Sequence, residues 1–285
     1  MSRRRGDGRR GLVAAGLVAL GLIGAAIGVV AALGSSGSTD APPAAHAATK
    51  HGRHHHHKLP PLPEAPAHAF KVGKPIYLKH VGDLSRYAPV LRGVNALTKP
   101  RASASSVAPI YTTTSDGTTN IVLVVGRPHT DAHGRVWVKV RFPSLPNGLT
   151  GWVPRNALGL MVLVRTHLII DLEHLRLTLL RNGRPIFSAP VGVGQPQWPT
   201  PRGSFYVRDK LTEYASPFYG PIAFGTSARS EVLTDWPDGG FVGIHGTNEP
   251  QLIPGRISHG CVRLRNEDIL RLARLLPVGT PITIK

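Results

Sequence analysis

From residue 88 to the end of the chain, the apolar residues come in short runs closed by turn formers. Ile121–Val125 reads IVLVV and Val136–Phe142 reads VWVKVRF, with Asp131–Gly134 and Pro143–Gly148 bounding the second. Runs this short, dense in β-branched and aromatic residues, predict strands rather than helices. In the second run Val136, Val138 and Val140 alternate with Trp137, Lys139 and Arg141, which predicts one buried face. Further strands are expected in LIIDL (168–172), on either side of Asn182-Gly183, in SFYVRDK (204–210), in FVGIH (241–245) and in PITIK (281–285). Asn-Gly between two apolar runs predicts a hairpin, because a two-residue turn of that type needs positive φ at both positions. One segment departs from the pattern. NEDILRLARLLPVG (266–279) predicts a short helix with Asn266 as N-cap, Glu267 and Asp268 at its positive end and Pro277 as its stop. Ile269, Leu272 and Leu276 would share its apolar face.

The start of the chain is different. Residues 11–33 form a run of 23 without a charged side chain. At about 1.5 Å per residue, such a helix spans a hydrocarbon core of roughly 30 Å. Arg3, Arg4, Arg5, Arg9 and Arg10 precede it. The positive-inside rule then keeps 1–10 in the cytoplasm and places everything after Leu33 outside, as a single-pass membrane protein. A cleaved secretory signal is the alternative, with Ala45-His46-Ala47 as its site, although signal cores usually run only about 7–15 residues. Both readings make the remainder extracytoplasmic. A lipid on an N-terminal cysteine is excluded, because Cys261 is the sole cysteine. Residues 34–87 are Gly/Ser-rich, then Pro/Ala/His-rich, and read as a flexible linker. Its His51 and His54–His57 could take up metal but read as a solvated feature of the tether. A small β-barrel is expected over 88–160 and a mostly-β domain with one short helix over 163–285, the latter able to fold by itself.

The formal charge is +18, and residues 11–162 carry most of it, with 15 Lys/Arg against 5 Asp/Glu. That surface favours polyanions in general. No nucleic-acid motif accompanies it and aromatic content is only 6%, so nucleic acid is excluded as a partner.

With one cysteine, neither an internal disulfide nor a multi-cysteine zinc site can form. The sequence around Cys261 points to chemistry instead. His245 ends a predicted strand, and Cys261 stands sixteen residues later in Ser258-His259-Gly260-Cys261-Val262-Arg263. A thiol nucleophile needs a nearby base or positive charge, and His245 and His259 can both reach it if neighbouring strands converge. Gly260 clears space for a substrate carbonyl. Backbone N–H groups over 259–261 could then hold an oxyanion. Zinc on His245, His259 and Cys261 is the competing reading, but three ligands leave the site open.

IHGTNEP (244–250) followed by SHGCVRLRNED (258–268) resembles the active-site signature of the L,D-transpeptidases, bacterial enzymes that cross-link peptidoglycan. PVGVGQPQWPTPRGSFYV (190–207) is similar to the same family, notably at Thr200-Pro201-Arg202-Gly203. Some members carry Ser and Asn where this chain has Gly246 and Arg263. WVKVR and GWVPRNAL, within 88–160, resemble bacterial SH3-like domains. The resemblance implies that Cys261 attacks the third residue of a stem tetrapeptide, expels D-Ala as a thioester forms, and passes the acyl group to an amine, giving a 3→3 cross-link. It makes His245 the base, its other ring nitrogen held by a carbonyl near Gly246. His259 would orient the site or aid the oxyanion. Gly246, Ser258, Gly260, Arg263 and Asn266 would shape the loops or meet substrate, and Tyr219 would line the entrance. Stem peptides, the membrane and anionic wall polymers are the implied partners, and no metal or organic cofactor is implied. The rivals are a non-catalytic wall-binding protein and another extracytoplasmic cysteine peptidase or acyltransferase. In wall-amidase peptidases the histidine follows the cysteine, and in sortases the two lie further apart.

Overall fold

The computed structural model describes residues 84–212, 217–234 and 240–285. The expected tail, membrane segment and nearly all of the linker, histidines included, lie outside the described residues. Among the described residues no helix is long and apolar enough to cross a membrane.

Eight strands make the first sheet: β1 (Ser85–Pro89), β2 (Val94–Leu97), β3 (Ser106–Ile110), β4 (Ile121–Val124), β5 (His129–Thr130), β6 (Val136–Arg141), β7 (Thr150–Pro154) and β8 (Val162–Val164). All pairings are antiparallel, in the order β3-β2-β7-β6-β4-β1-β8, with β5 on β6. Ala88, Val122, Val138, Val140 and Val153 fill its core. β8 pairs with β1, so the chain leaves this sheet between Val164 and Thr166.

The remaining strands build two five-stranded sheets. One contains β9 (Thr166–Asp171), β10 (Arg176–Arg181), β11 (Arg184–Pro190), β13 (Gly203–Tyr206) and β18 (Pro281–Ile284), in the order β11-β10-β9-β18-β13. The other contains β12 (Gly192–Gly194), β14 (Ala223–Arg229), β15 (Phe241–His245), β16 (Gly255–Ser258) and β17 (Val262–Arg263), in the order β14-β15-β17-β12-β16. The β10–β11 hairpin turns at Asn182 and Gly183, both at positive φ as that dipeptide predicts. The helix α1 (Asn266–Ala273) buries Ile269 and Leu272 in a cluster with Leu168, Ile170, Phe224 and Ile244. Each of those two side chains contributes about 1.5–3 kcal/mol by leaving water.

Two expectations need correction. The N-cap of α1 is Arg265, and Asn266 is already helical, its side chain used elsewhere. On β6 burial is not confined to one face, because Trp137 and Arg141 are nearly as buried as Val138 and Val140, whereas Val136 is exposed. The Trp137 indole donates to Asp131 at 2.8 Å. Arg141 lies under the second half of the protein and donates to the Ser204 carbonyl at 2.5 Å.

Independent folding of the C-terminal part turns on its seam with the first sheet. Tyr206 is fully buried against Ile121 and Leu123, and its hydroxyl donates to the Ile121 carbonyl at 2.9 Å. Burial pushes that phenol well above its ordinary pKa. Arg208, also buried, bonds its neighbour Asp209 and, in a loop of the first sheet, Asp116. The Asn147 amide donates to the Arg229 carbonyl and accepts from its N–H, at 2.8 and 3.0 Å. A 165–285 fragment would expose Tyr206 and strand these polar groups. Relative to an 84–285 chain it is expected to melt several degrees lower or to precipitate. Equal melting temperatures in calorimetry would show the seam to be dispensable.

Candidate active site

The site is set by one register. β15 runs parallel to β17, with Ile244 beside Val262 and His245 beside Arg263. One step earlier Gly243 lies beside Cys261, and the Gly243 N–H donates to Cys261 Sγ at 3.3 Å. Side chains alternate along a strand, so His245 and Gly243 share a face, as do Cys261 and Arg263. Imidazole, thiol and guanidinium therefore meet on one surface. A Cβ built on Gly243 would stand 3.7 Å from His245 Cδ2 and 3.9 Å from Cys261 Sγ. Both are ordinary van der Waals distances, so a methyl group there would touch the two side chains without clashing.

His245 is 3% exposed, and its Nδ1 is bonded to the Gly246 carbonyl at 2.6 Å. A carbonyl only accepts, so Nδ1 carries the proton and Nε2 presents a lone pair. Burial, opposed by the Gly246 carbonyl and reinforced by the Arg263 charge, pulls the imidazole pKa down to about 4. Cys261 as a residue is only partly buried, yet enclosure of its sulfur raises the thiol pKa, while the Gly243 N–H and Arg263 act to lower it. Near neutral pH both partners are therefore uncharged. The Tyr219 ring, in the short 3-10 turn Pro217–Tyr219, packs 4.7 Å from the imidazole.

Asn266 holds the segment after His245. Its Oδ1 accepts from the Thr247 N–H at 2.9 Å. A Cβ at Gly246 would fall 2.3 Å from that same oxygen, and one at Gly220 would fall 2.4 Å from it. The side chain expected to cap a helix instead fits two glycines of neighbouring loops.

Cys261 sits at the end of a tight turn. The Ser258 hydroxyl donates to the Cys261 carbonyl at 2.5 Å and accepts from the Gly260 N–H at 3.1 Å. Gly260 has φ of 114°, a conformation side chains resist. Because its N–H is committed to Ser258, Gly260 is not an oxyanion donor, and its contribution is the shape of the turn. His259 is half-buried and stacks on Trp198 with ring centroids 4.2 Å apart. Burial, then the Arg263 charge, lower its pKa. Arg263 donates to Glu249 at 3.2 Å, which fixes the guanidinium beside the two histidines.

Tyr219, His245, Ser258, His259, Cys261 and Arg263 line one cleft of about 320 Å³, completed by apolar residues such as Phe218, Leu233 and Phe241. Gly246, Gly260 and Asn266 stand behind it. All nine residues singled out in the sequence thus converge. Gly243, Trp198 and Thr200 belong to the site without having been assigned a role. Strand parity offered a signal for Gly243, which stands two residues before a catalytic candidate, whereas the stack joins Trp198 to His259, 61 residues later. No group of three metal-ligating side chains able to hold an ion is found among the described residues.

A family model for the L,D-transpeptidase catalytic domain matches residues 165–284. A Bacillus subtilis protein named as an L,D-transpeptidase, YkuD, is 33% identical over 144 residues, which cover 50% of this chain and 80% of that one. The Escherichia coli protein named as the L,D-transpeptidase YbiS is 31% identical over 156 residues, covering 48% of this chain and 50% of that one. Among solved structures, an Enterococcus faecium L,D-transpeptidase aligns at 24% identity and a TM-score of 0.34, over 42% of this chain and 49% of that one. The chain thus spans four fifths of one of these proteins and about half of the other two.

The neutral resting pair has a measurable consequence. His245 keeps its base form until the pH falls to about 4. Acylation of Cys261 by an activated ester is expected to hold level between about pH 5 and 8 and to fall only in more acid solution. A decline centred near about 6.5, the pKa of a free imidazole, would show that His245 is hydrated rather than enclosed.

Proposed function

Because this chain belongs to the L,D-transpeptidase family, we propose that it exchanges peptide bonds in peptidoglycan, with Cys261 as nucleophile and His245 as base. Cys261 Sγ attacks the carbonyl carbon of the third residue of a donor stem tetrapeptide as its proton passes to His245 Nε2. The tetrahedral intermediate collapses, the C–N bond to the terminal D-Ala breaks, and the departing amine takes the proton back from His245. A thioester remains. The side-chain amine of the third residue on a neighbouring stem then attacks, giving its proton to His245. The C–S bond breaks, the sulfur recovers that proton, and a 3→3 cross-link results.

The observation that carries this reading is the shared face of His245 and Cys261, with Nδ1 tied to Gly246 and Sγ tied to Gly243. Each bond fixes one partner of the proton transfer. His259, stacked on Trp198, shapes the cleft, and Arg263 supplies positive charge beside the sulfur. The proposal extends to location. Residues 11–33 anchor the chain, and the catalytic part works on the wall side of the membrane. Residues 88–160 act as an SH3-like module, and the basic excess before Leu163 suits anionic wall polymers. N-terminal sequencing of membrane-bound protein should return Met1 or Ser2. A start near Ala48 would make the protein secreted.

Cys261→Ala is expected to abolish turnover and covalent labelling by a carbapenem, read by mass spectrometry. Cys261→Ser should be nearly as inactive, since a hydroxyl ionises far less readily. His245→Ala should slow acylation by about 10²–10⁴-fold, the usual worth of a general base. His259→Ala should cost less. Normal acylation in His245→Ala beside a dead His259→Ala would exchange their roles. In digests of wall from cells with and without the protein, 3→3 cross-links should fall when it is absent. An unchanged cross-link profile would refute the assigned reaction.

A further inference from the structure

We infer that Thr200 is a positioning residue of the acylation step: its hydroxyl fixes the Gly260–Cys261 peptide so that the Cys261 N–H faces the developing oxyanion. The inference rests on the acyl-transfer reading above and adds a residue to which neither the motif nor the family match assigns a role.

Thr200 is 4% exposed, and its hydroxyl is fully used. It accepts from the Gly194 N–H at 2.9 Å and donates to the Gly260 carbonyl at 2.8 Å. One buried oxygen thereby ties the end of β12 to the turn that presents the nucleophile. The sequence makes the tie stiff. Thr200 lies between Pro199 and Pro201. Proline fixes φ on each side, and the residue before a proline is confined to extended backbone. Behind it the loop is closed tightly, because a Cβ on Gly194 would fall 2.2 Å from the Trp198 carbonyl and 2.5 Å from the Thr200 nitrogen.

The consequence at the nucleophile follows from peptide geometry. The Gly260–Cys261 bond is not among the cis peptides, so it is planar and trans. In such a unit C=O and N–H point in opposite directions. Turning the Gly260 carbonyl inward onto Thr200 turns the Cys261 N–H the other way, towards the cleft that Cys261 lines. Neither ladder of β17 uses that N–H, and no turn bond takes it among the described residues. The neighbouring Gly260 N–H is committed to Ser258. A donor aimed in advance at the position where negative charge develops lowers the barrier without reorganising during the reaction.

The test separates oxyanion formation from thiol reactivity. Iodoacetamide alkylates a thiol without forming an oxyanion, whereas a carbapenem is opened by attack on its lactam carbonyl. Thr200→Val keeps the shape but removes the hydroxyl. It is expected to slow carbapenem acylation about 10²-fold, as loss of an oxyanion donor does, while alkylation stays within about twofold of the parent rate. Thr200→Ser keeps the hydroxyl and should restore acylation to within about threefold. Unchanged acylation in Thr200→Val would overturn the inference and leave the transpeptidase reading intact. An equal fall in both reactions would mean that Thr200 places the sulfur rather than the N–H, which also overturns it. Should Thr200→Val fail to fold, Thr200→Ala, which leaves room for a water, is read by the same comparison. A folded Thr200→Ser that acylates as slowly as a hydroxyl-less variant is equally fatal. Parent protein that is alkylated but never acylated would instead remove the acyl-transfer reading itself.

Discussion

The Gly243 N–H bond to Cys261 Sγ marks the end of a parallel ladder, and most of the site depends on that ladder's register. With Ile244 beside Val262, the side chains of His245, Cys261 and Arg263 emerge on one face. A slip of one residue would send His245 to the opposite face of the sheet. The register is protected by burial, since Ile244, Val262 and Leu264 point into the main core and none is exposed to solvent. The face that carries His245, Cys261 and Arg263 is thus held in place by the hydrophobic face behind it. Turn geometry then refines the arrangement through Ser258, which closes the cysteine turn, and through Asn266, which fits against Gly246.

That core does not end at the catalytic sheet. Arg208, bonded to Asp116 from the first sheet's loops, lies 4.0 Å from the centre of the Phe241 ring. Arg229, whose backbone is paired by Asn147, approaches the same ring at 5.3 Å. Phe241 begins β15 and lines the catalytic cleft. The first sheet therefore braces the strand that carries His245, through two arginines and one aromatic ring. Cation–π contacts of this kind are worth about 0.5–2 kcal/mol each, the more so when desolvated.

Much of this was legible in the sequence, and the reasons are local. Short β-branched runs bounded by turn residues give strands wherever the bounding residues force a turn, as Asn182 and Gly183 do. The paired motif around His245 and Cys261 was legible because a few contiguous residues encode both the strand and the turn. Arg141 and Tyr206 were not legible. An alternating strand looks half-exposed until one knows what lies on its outer face, and here a second sheet system does. Asn266 illustrates the same limit at short range. Its type and position suit a helix cap, yet Thr247 and two glycines compete for its side chain and prevail. Thr200 stands in a recognisable Thr-Pro-Arg-Gly run, but its two partners are fixed only when β12 and the cysteine turn come together.

The electrostatics of the site favour protection at rest over standing reactivity. Burial disfavours both the thiolate and the imidazolium, which weighs against a standing ion pair. Oxidation of cysteine proceeds through the thiolate, and a lone thiol held neutral is correspondingly slow to oxidise. The cost is that charge must be created during the reaction. On the proposed mechanism the groups that stabilise it are already in place: Nε2 to receive the proton, and the Gly243 N–H and Arg263 beside the sulfur. In a site of low dielectric, fixed dipoles stabilise developing charge more strongly than mobile water does, and they need no rearrangement. The same enclosure that silences the thiol at rest therefore strengthens every interaction that operates once a carbonyl carbon reaches it.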